Sequence, residues 1–300
     1  MPVSGVRTIR AAFWVAGIVL LAAALVLTVH LSSNNLEFSR YNTGWNGTSV
    51  FFSELDRHHV TLVGDPKELA SYRNNSLLIV IAPSRRPTGA EISAYRAFLE
   101  RGNTIFLADD FGSGDEILRG LGSRITLLEG NLSSIDREYA DPYTITVYRQ
   151  TNGSIATRAK TLILNRPVGL EGGDPIFLTS LLSWIDENGD KRINADEVMG
   201  QFAVMSEEPV GRGKLVVLSD PSIFINSMQD QGLPSDNRQF ISDLTGGNGT
   251  VLIDQMNTRT DDAEGFSEIL HLIRTTIAIE LLFLALLVLA ALWAWRKRIV

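Results

Sequence analysis

Two stretches of the chain are apolar on every face. Ala11 to Val29 runs for 19 residues without a charge, and Thr275 to Trp295 runs for 21 with Glu280 as its one charge. At about 1.5 Å rise per residue, either could cross a hydrocarbon core about 30 Å thick. Neither carries the polar stripe of a helix packed on a water-facing core. The pattern predicts transmembrane helices at 11–29 and 275–295. Arg7 and Arg10 precede the first run, and Arg296, Lys297 and Arg298 follow the second. Basic flanks predict a cell-membrane protein with cytoplasmic termini, 1–10 and 296–300, and with residues 30–274 extracytoplasmic. Ala22 and Ala24 offer a small-x-small cleavage site, but Leu25 to Val29 stays apolar beyond it, so an uncleaved anchor is expected.

Between these runs, apolar bursts of strand length alternate with helical spacing. Leu77 to Ala82 reads as a buried strand. Thr88 with Glu91 forms a capping box, Ile92, Tyr95, Phe98 and Leu99 recur on one helical face, and Gly102 stops the helix. Thr104 to Ala108 is a second strand, and Ser113 with Glu116 opens another helix. Further elements are a helix at 48–57, strands at 60–63, 214–219 and 250–253, and a helix capped by Asp236. Residues 124–165 alternate and read as antiparallel strands at an edge, and residues 257–274 read as a polar stalk. The order predicts an α/β fold over 30–256, a doubly wound, mostly parallel sheet with helices on both faces.

Charge narrows the function classes. Of the 34 acidic residues only Glu280, and of the 27 basic residues only five, lie outside 30–274, leaving 33 acidic against 22 basic, a formal −11. That balance argues against nucleic acid as a partner. There is no cysteine, which removes disulfides, thiol nucleophiles and zinc–thiolate sites. Sequons at Asn46, Asn74, Asn131, Asn152 and Asn248 fit an exposed glycoprotein surface.

The sharpest local motif spans Asp186 to Glu197. As a twelve-residue cation loop it puts Asp186, Asn188 and Asp190 at positions 1, 3 and 5, the Arg192 carbonyl at 7 and the Glu197 carboxylate at 12. These hard oxygens at that spacing predict structural calcium, with Ile176 to Ile185 as an entering helix. Lys191 stands where glycine is expected at the sharp turn. Asp109, Asp110 and Asp220 follow predicted parallel strands, where open α/β sheets place ligand sites. They allow hydrolysis by paired carboxylates, or simple capping of the next turns. His58 and His59 are adjacent, so they do not share a helix face for one metal.

Several segments together resemble a known family. They are Tyr41-Asn-Thr-Gly44 with Asn46-Gly47, the strand–capped helix–strand of 77–110, and Gly213 to Asn226 followed by Asp236-Asn237. Over about residues 36–255 the chain resembles an uncharacterised domain of archaeal and bacterial membrane proteins with a class I glutamine-amidotransferase-like fold. The resemblance implies a membrane assembly or maturation system, since such domains are often encoded beside MoxR-type AAA ATPases and von Willebrand A-type proteins. Amidotransferases of this fold use a cysteine nucleophile. Here Ala108 leads into Asp109-Asp110-Phe111-Gly112, so that chemistry does not carry over.

The sequence therefore predicts a membrane-anchored binding or scaffolding module without catalysis, with the bilayer and a membrane protein as partners. The alternatives are an extracytoplasmic hydrolase using strand-end carboxylates and an auxiliary subunit of an ABC-type transporter.

Overall fold

Apolar side chains alternate along the central strands and divide the interior into two cores. In the computed structural model, β1 (Val60–Val63), β2 (Ser76–Ile81) and β3 (Thr104–Ala108) are joined in one sheet by β12 (Gly213–Leu218) and β13 (Thr250–Asp254). Ile79, Ile81, Phe106, Ala108, Val216 and Leu218 enter one core, and Leu78, Val80, Ile105, Leu107, Leu215 and Val217 enter the other. A period of two on an extended chain requires this. The structure describes residues 17, 34–55, 60–136, 140–229, 235–247 and 249–262. One folded unit covers Glu37–Asp262. The other, Met1–Leu36 with Ala263–Val300, lies outside the described residues except for 17 and 34–36.

Helix α1 (Ser49–Leu55) sends Phe51 and Leu55 into the first core, and α4 (Asn237–Thr245) adds Phe240, Ile241 and Leu244. Helix α2 (Gly89–Glu100) contributes Tyr95, Phe98 and Leu99 to the second core, and α3 (Gly114–Leu121) adds Ile117, Leu118 and Leu121. Helix α2 begins at the expected capping box. The Glu91 amide donates to Thr88 Oγ1 at 3.2 Å, and the Thr88 amide donates to Glu91 Oε2 at 2.7 Å. In the first core, Phe51 meets Phe224 edge-on at 4.9 Å, and Phe106 lies 6.0 Å from Phe240.

The remaining strands are β4 (Thr126–Leu127), β5 (Asn131–Ser134), β6 (Thr144–Arg149), β7 (Thr161–Asn165), β8 (Leu170–Glu171), β9 (Asp174–Leu178), β10 (Ser183–Asp186) and β11 (Ala203–Val210). The sheet has eleven strands along the path β1-β13-β2-β3-β12-β11-β9-β6-β7, with β4 and β8 off it, and β10 pairs with β5 in a second, two-stranded sheet.

Four expectations are corrected. The sheet is mixed rather than mostly parallel. β1, β13, β2, β3 and β12 run parallel, but β11 meets β12 antiparallel across a turn at Gly211 and Arg212, with Gly211 at φ +60°. So short a link cannot cross over to a parallel neighbour, and every strand beyond it continues antiparallel. Second, the flanking transmembrane helices are not supported. No helix among the described residues is long and apolar enough to cross a membrane. The longest, α2, has 12 residues, about 18 Å at about 1.5 Å each. The segments 11–29 and 275–295 lie outside the described residues apart from Gly17. The membrane-anchored arrangement, with cytoplasmic termini and an extracytoplasmic domain, is set aside with them. Third, residues 176–185 are not a helix. Asp174–Leu178 and Ser183–Asp186 are strands, with Phe177 and Trp184 buried.

The polar segment after β13 folds back rather than leaving as a stalk at residue 257. Asn257, Thr258 and Thr260 are buried, and the Thr258 hydroxyl donates to the Ile81 carbonyl at 2.5 Å.

Candidate functional site

The parallel strands β3, β12 and β13 deliver carboxylates to one edge of the sheet. Asp109 follows β3, Asp220 lies two residues beyond β12, and Asp254 ends β13. All three are buried, and each turns back to the backbone of the next segment. Asp109 Oδ2 accepts from the Gly114 amide at 2.6 Å. This supplies the start of α3, where Ser113 makes no side-chain cap. The turn must pass very close to do so. A Cβ on Gly112 would lie 2.4 Å from Asp109 Oδ1 and 2.7 Å from the Pro83 carbonyl oxygen, so glycine is required there.

Asp220 Oδ1 accepts from the Ser222 amide at 2.7 Å, capping the 3₁₀ turn Pro221–Phe224. Its Oδ2 accepts from the Asn165 amide at 2.6 Å, which ties the parallel half of the sheet to β7. The same edge of β7 is closed by side chains elsewhere. Asp236 takes the Lys160 amide at 2.8 Å and the Thr161 amide at 3.2 Å, and Asn237 bonds both backbone groups of Ile163 at 2.9 Å. Asp236 precedes α4 without capping it, because its carboxylate is spent on this strand edge. Asp254 accepts from the Tyr95 hydroxyl, and from the Met256 amide at 2.6 Å.

Burial sets the acidity of this edge. It pushes Asp109 up to about 7 against the Gly114 hydrogen bond, with the charge of Asp110 adding to it. Burial and then the Asp110 charge push Asp220 up to about 7, and burial pushes Asp254 up to about 6. Asp110 is half-buried, accepts from the Phe111 amide at 2.6 Å and is raised by burial. The structure therefore brings the strand-end carboxylates of Asp109, Asp110 and Asp220 into one electrostatic neighbourhood, yet Asp109 and Asp220 are 1% and 0% exposed. A cleft of about 660 Å³ lies elsewhere, at the N-terminal ends of β2, β3 and β13, lined by residues including Asn75, Thr104, Arg158 and Asp243. Sequence reasoning missed Asp254 and its partner Tyr95. The signal was an aspartate ending an apolar strand, the same signature as Asp109.

The loop 186–197 is closely hydrogen-bonded to itself. Asp186 Oδ1 accepts from the Gly189 amide at 2.7 Å, and its Oδ2 accepts from the Lys191 amide at 2.8 Å and the Tyr143 hydroxyl at 2.7 Å. Asn188 takes the Asp190 amide, Asp190 takes the Arg192 amide, each at 2.8 Å, and Glu197 takes the Asn194 amide at 2.8 Å. Lys191 adopts φ +62°, the left-handed turn for which glycine was expected. Among the described residues no group of three or more His, Asp or Glu side chains stands ready to hold a metal ion. His58 and His59 lie outside the described residues.

The model of a family described as a domain of unknown function, DUF4350, matches residues 40–245. No curated protein matches the chain. Among solved structures, a β-galactosidase from Bacillus circulans sp. alkalophilus is similar at 10% identity and a TM-score of 0.30, over 50% of this chain and 21% of that one. The chain thus spans about a fifth of that enzyme's length. A ThuA-like protein from Bacteroides uniformis is similar at 11% identity and a TM-score of 0.37, over 66% of this chain and 80% of that one. A cytoplasmic protein from Salmonella typhimurium LT2 is similar at 11% identity and a TM-score of 0.35, over 76% and 87%. Likenesses of this size carry no argument about fold or activity.

Proposed function

For this chain, which belongs to the DUF4350 family, a domain of unknown function, we propose a binding or scaffolding role without catalysis of its own. The domain would serve inside a larger assembly or maturation system, as the resemblance to amidotransferase-like domains encoded beside MoxR-type ATPases implies. One observation carries the reading. The carboxylates that a hydrolase of this architecture would use are occupied as turn and strand-edge acceptors, with Asp109 and Asp220 closed to solvent. Acid–base catalysis needs such groups within reach of a substrate. With no cysteine in the chain, the amidotransferase nucleophile has no substitute of its own kind.

A structural calcium ion at Asp186, Asn188, Asp190, Arg192 and Glu197 belongs to the same proposal. Two observations support it. The donor set is all hard oxygen, and Lys191 takes the left-handed conformation that bends such a loop around its cation. Bound there, calcium would brace the loop between β10 and β11.

Cross-linking the full-length protein in its own cells, followed by its isolation, tests the role. A partner recovered in fixed stoichiometry, with a MoxR-type ATPase the foremost expectation, supports it. Recovery of the chain alone as a uniform free species contradicts it.

A further inference from the structure

The two ends of the long sheet are finished differently. At the β7 end the outward backbone groups are occupied. Asp236 takes the Lys160 and Thr161 amides, Asn237 bonds both groups of Ile163, and Asp220 takes the Asn165 amide. A strand covered in this way has little left to offer another strand. β1 forms the other end. The Val63 carbonyl accepts from the Gln255 amide, just past β13, at 2.9 Å. Thr61 and Val63 therefore turn their backbone groups toward β13, and Val60 and Leu62 turn theirs outward. Among the described residues nothing bonds those outward groups. The strand, Val-Thr-Leu-Val, carries none of the charges or prolines that keep an open edge from pairing. Thr61 is exposed, and Leu62 is 42% exposed.

We propose that β1 pairs antiparallel with β1 of a second copy of this chain, about a twofold axis at Thr61. The strand is its own complement in that register. Val60 falls opposite Leu62 of the second copy, and Leu62 opposite its Val60. These are the residues with outward groups, so each pair exchanges both backbone hydrogen bonds. Thr61 then faces Thr61 of the second copy, a favourable cross-strand pair. Val60 leans on the first core, and Leu62, two residues on, shares its face. The Leu62 side chain would thus lie against Val60 of the second copy and leave water. Charge points the same way. Residues 30–274 carry a formal −11, so most surfaces of the domain repel a copy, but β1 is neutral and brings no like charges together. Pairing about a twofold axis consumes both open edges and closes at two chains. With only Val60 and Leu62 contributing bonds, the dimer forms and dissociates with concentration. The pairing is independent of the scaffolding role.

Sedimentation of the full-length protein over a range of concentrations tests it. The mass should rise from one chain toward two as concentration increases. Thr61→Lys and Thr61→Glu each set a charge against its own copy at the axis. Thr61 is exposed, so both variants should keep the natural circular dichroism. Each alone should sediment as a single chain. Mixed in equal amounts they should recover the dimer, because lysine then faces glutamate. Cross-linking gives a second reading, since the chain has no cysteine. Opposed residues of such a pair lie about 4.5 Å apart at Cα, within the span of about 4.4–6.8 Å that a disulfide bridges. Mild oxidation should therefore link Thr61→Cys into a dimer and leave Lys67→Cys, exposed on the turn after β1, single. A single-chain mass at every concentration, a dimer that Thr61→Lys leaves intact, a mixture no heavier than its components, or no link at Thr61→Cys overturns the pairing.

Discussion

The Tyr95 hydroxyl, from the middle of α2, donates to the Asp254 carboxylate at the end of β13, and both residues are fully buried. This bond joins a helix of the second core to the last strand of the sheet across 159 positions of sequence. Burial and the nearby carboxylate push the tyrosine well above its ordinary acidity range, so it remains a donor at every physiological pH.

Tyr95→Phe should therefore destabilise the domain by about 1–3 kcal/mol, the cost of leaving a buried acceptor without its partner. It should also raise the Asp254 titration above about 6, because the hydroxyl holds that value down. The contribution of protonated Asp254 is complete below 3.8 and fades as pH rises through about 6. Carboxyl-carbon NMR of the variant checks the shift, and an unmoved titration counts against the bond.

Gly112→Ala should disrupt the turn after β3. Its Cβ would meet a carboxylate oxygen at 2.4 Å and a backbone oxygen at 2.7 Å, so the turn must shift to admit it. Chemical denaturation should show a loss of about 1–3 kcal/mol, the usual cost of overpacking. Pairing it with Asp109→Ala, which removes the nearer oxygen, should recover part of that loss.

Calcium at millimolar concentration should raise the melting temperature relative to chelator, because a ligand that binds only the folded state stabilises it by mass action, by about 2.7 kcal/mol at a hundredfold excess over Kd. Asp186→Ala with Glu197→Ala should abolish the rise. An unchanged melting temperature in the natural protein would leave a self-bonded turn without a cation.

The individual elements around the parallel strands were legible because short continuous apolar runs such as Leu77 to Ala82 and the Thr88 capping box are local signals. The change to antiparallel pairing was less so. It depends on β11, which was not read from the sequence, and on the short turn at Gly211 and Arg212 that returns it antiparallel to β12. Residues 176–185 misled because Ile176, Phe177 and Trp184 suit either a helix face or a strand, and only pairing with β5 and β11 decides. At the candidate site, the carboxylates after β3 and β12 were found in sequence, but their closure was not. Whether Asp220 faces solvent or the Asn165 amide, 55 positions away, is a tertiary fact.

The most direct measurement for the central claim is the melting temperature of Asp220→Asn in the full-length protein, taken beside its turnover of a broad set of ester, amide and glycoside substrates. Asparagine keeps one acceptor oxygen and turns a donor toward the other amide, so Asn165 or Ser222 loses its partner. The account predicts destabilisation of about 1–3 kcal/mol, seen as a melting temperature lower by about 2–4 °C per kcal/mol, and no turnover in either protein. Turnover in the natural protein that disappears in Asp220→Asn at an unchanged melting temperature would contradict it and make the strand-end carboxylate catalytic.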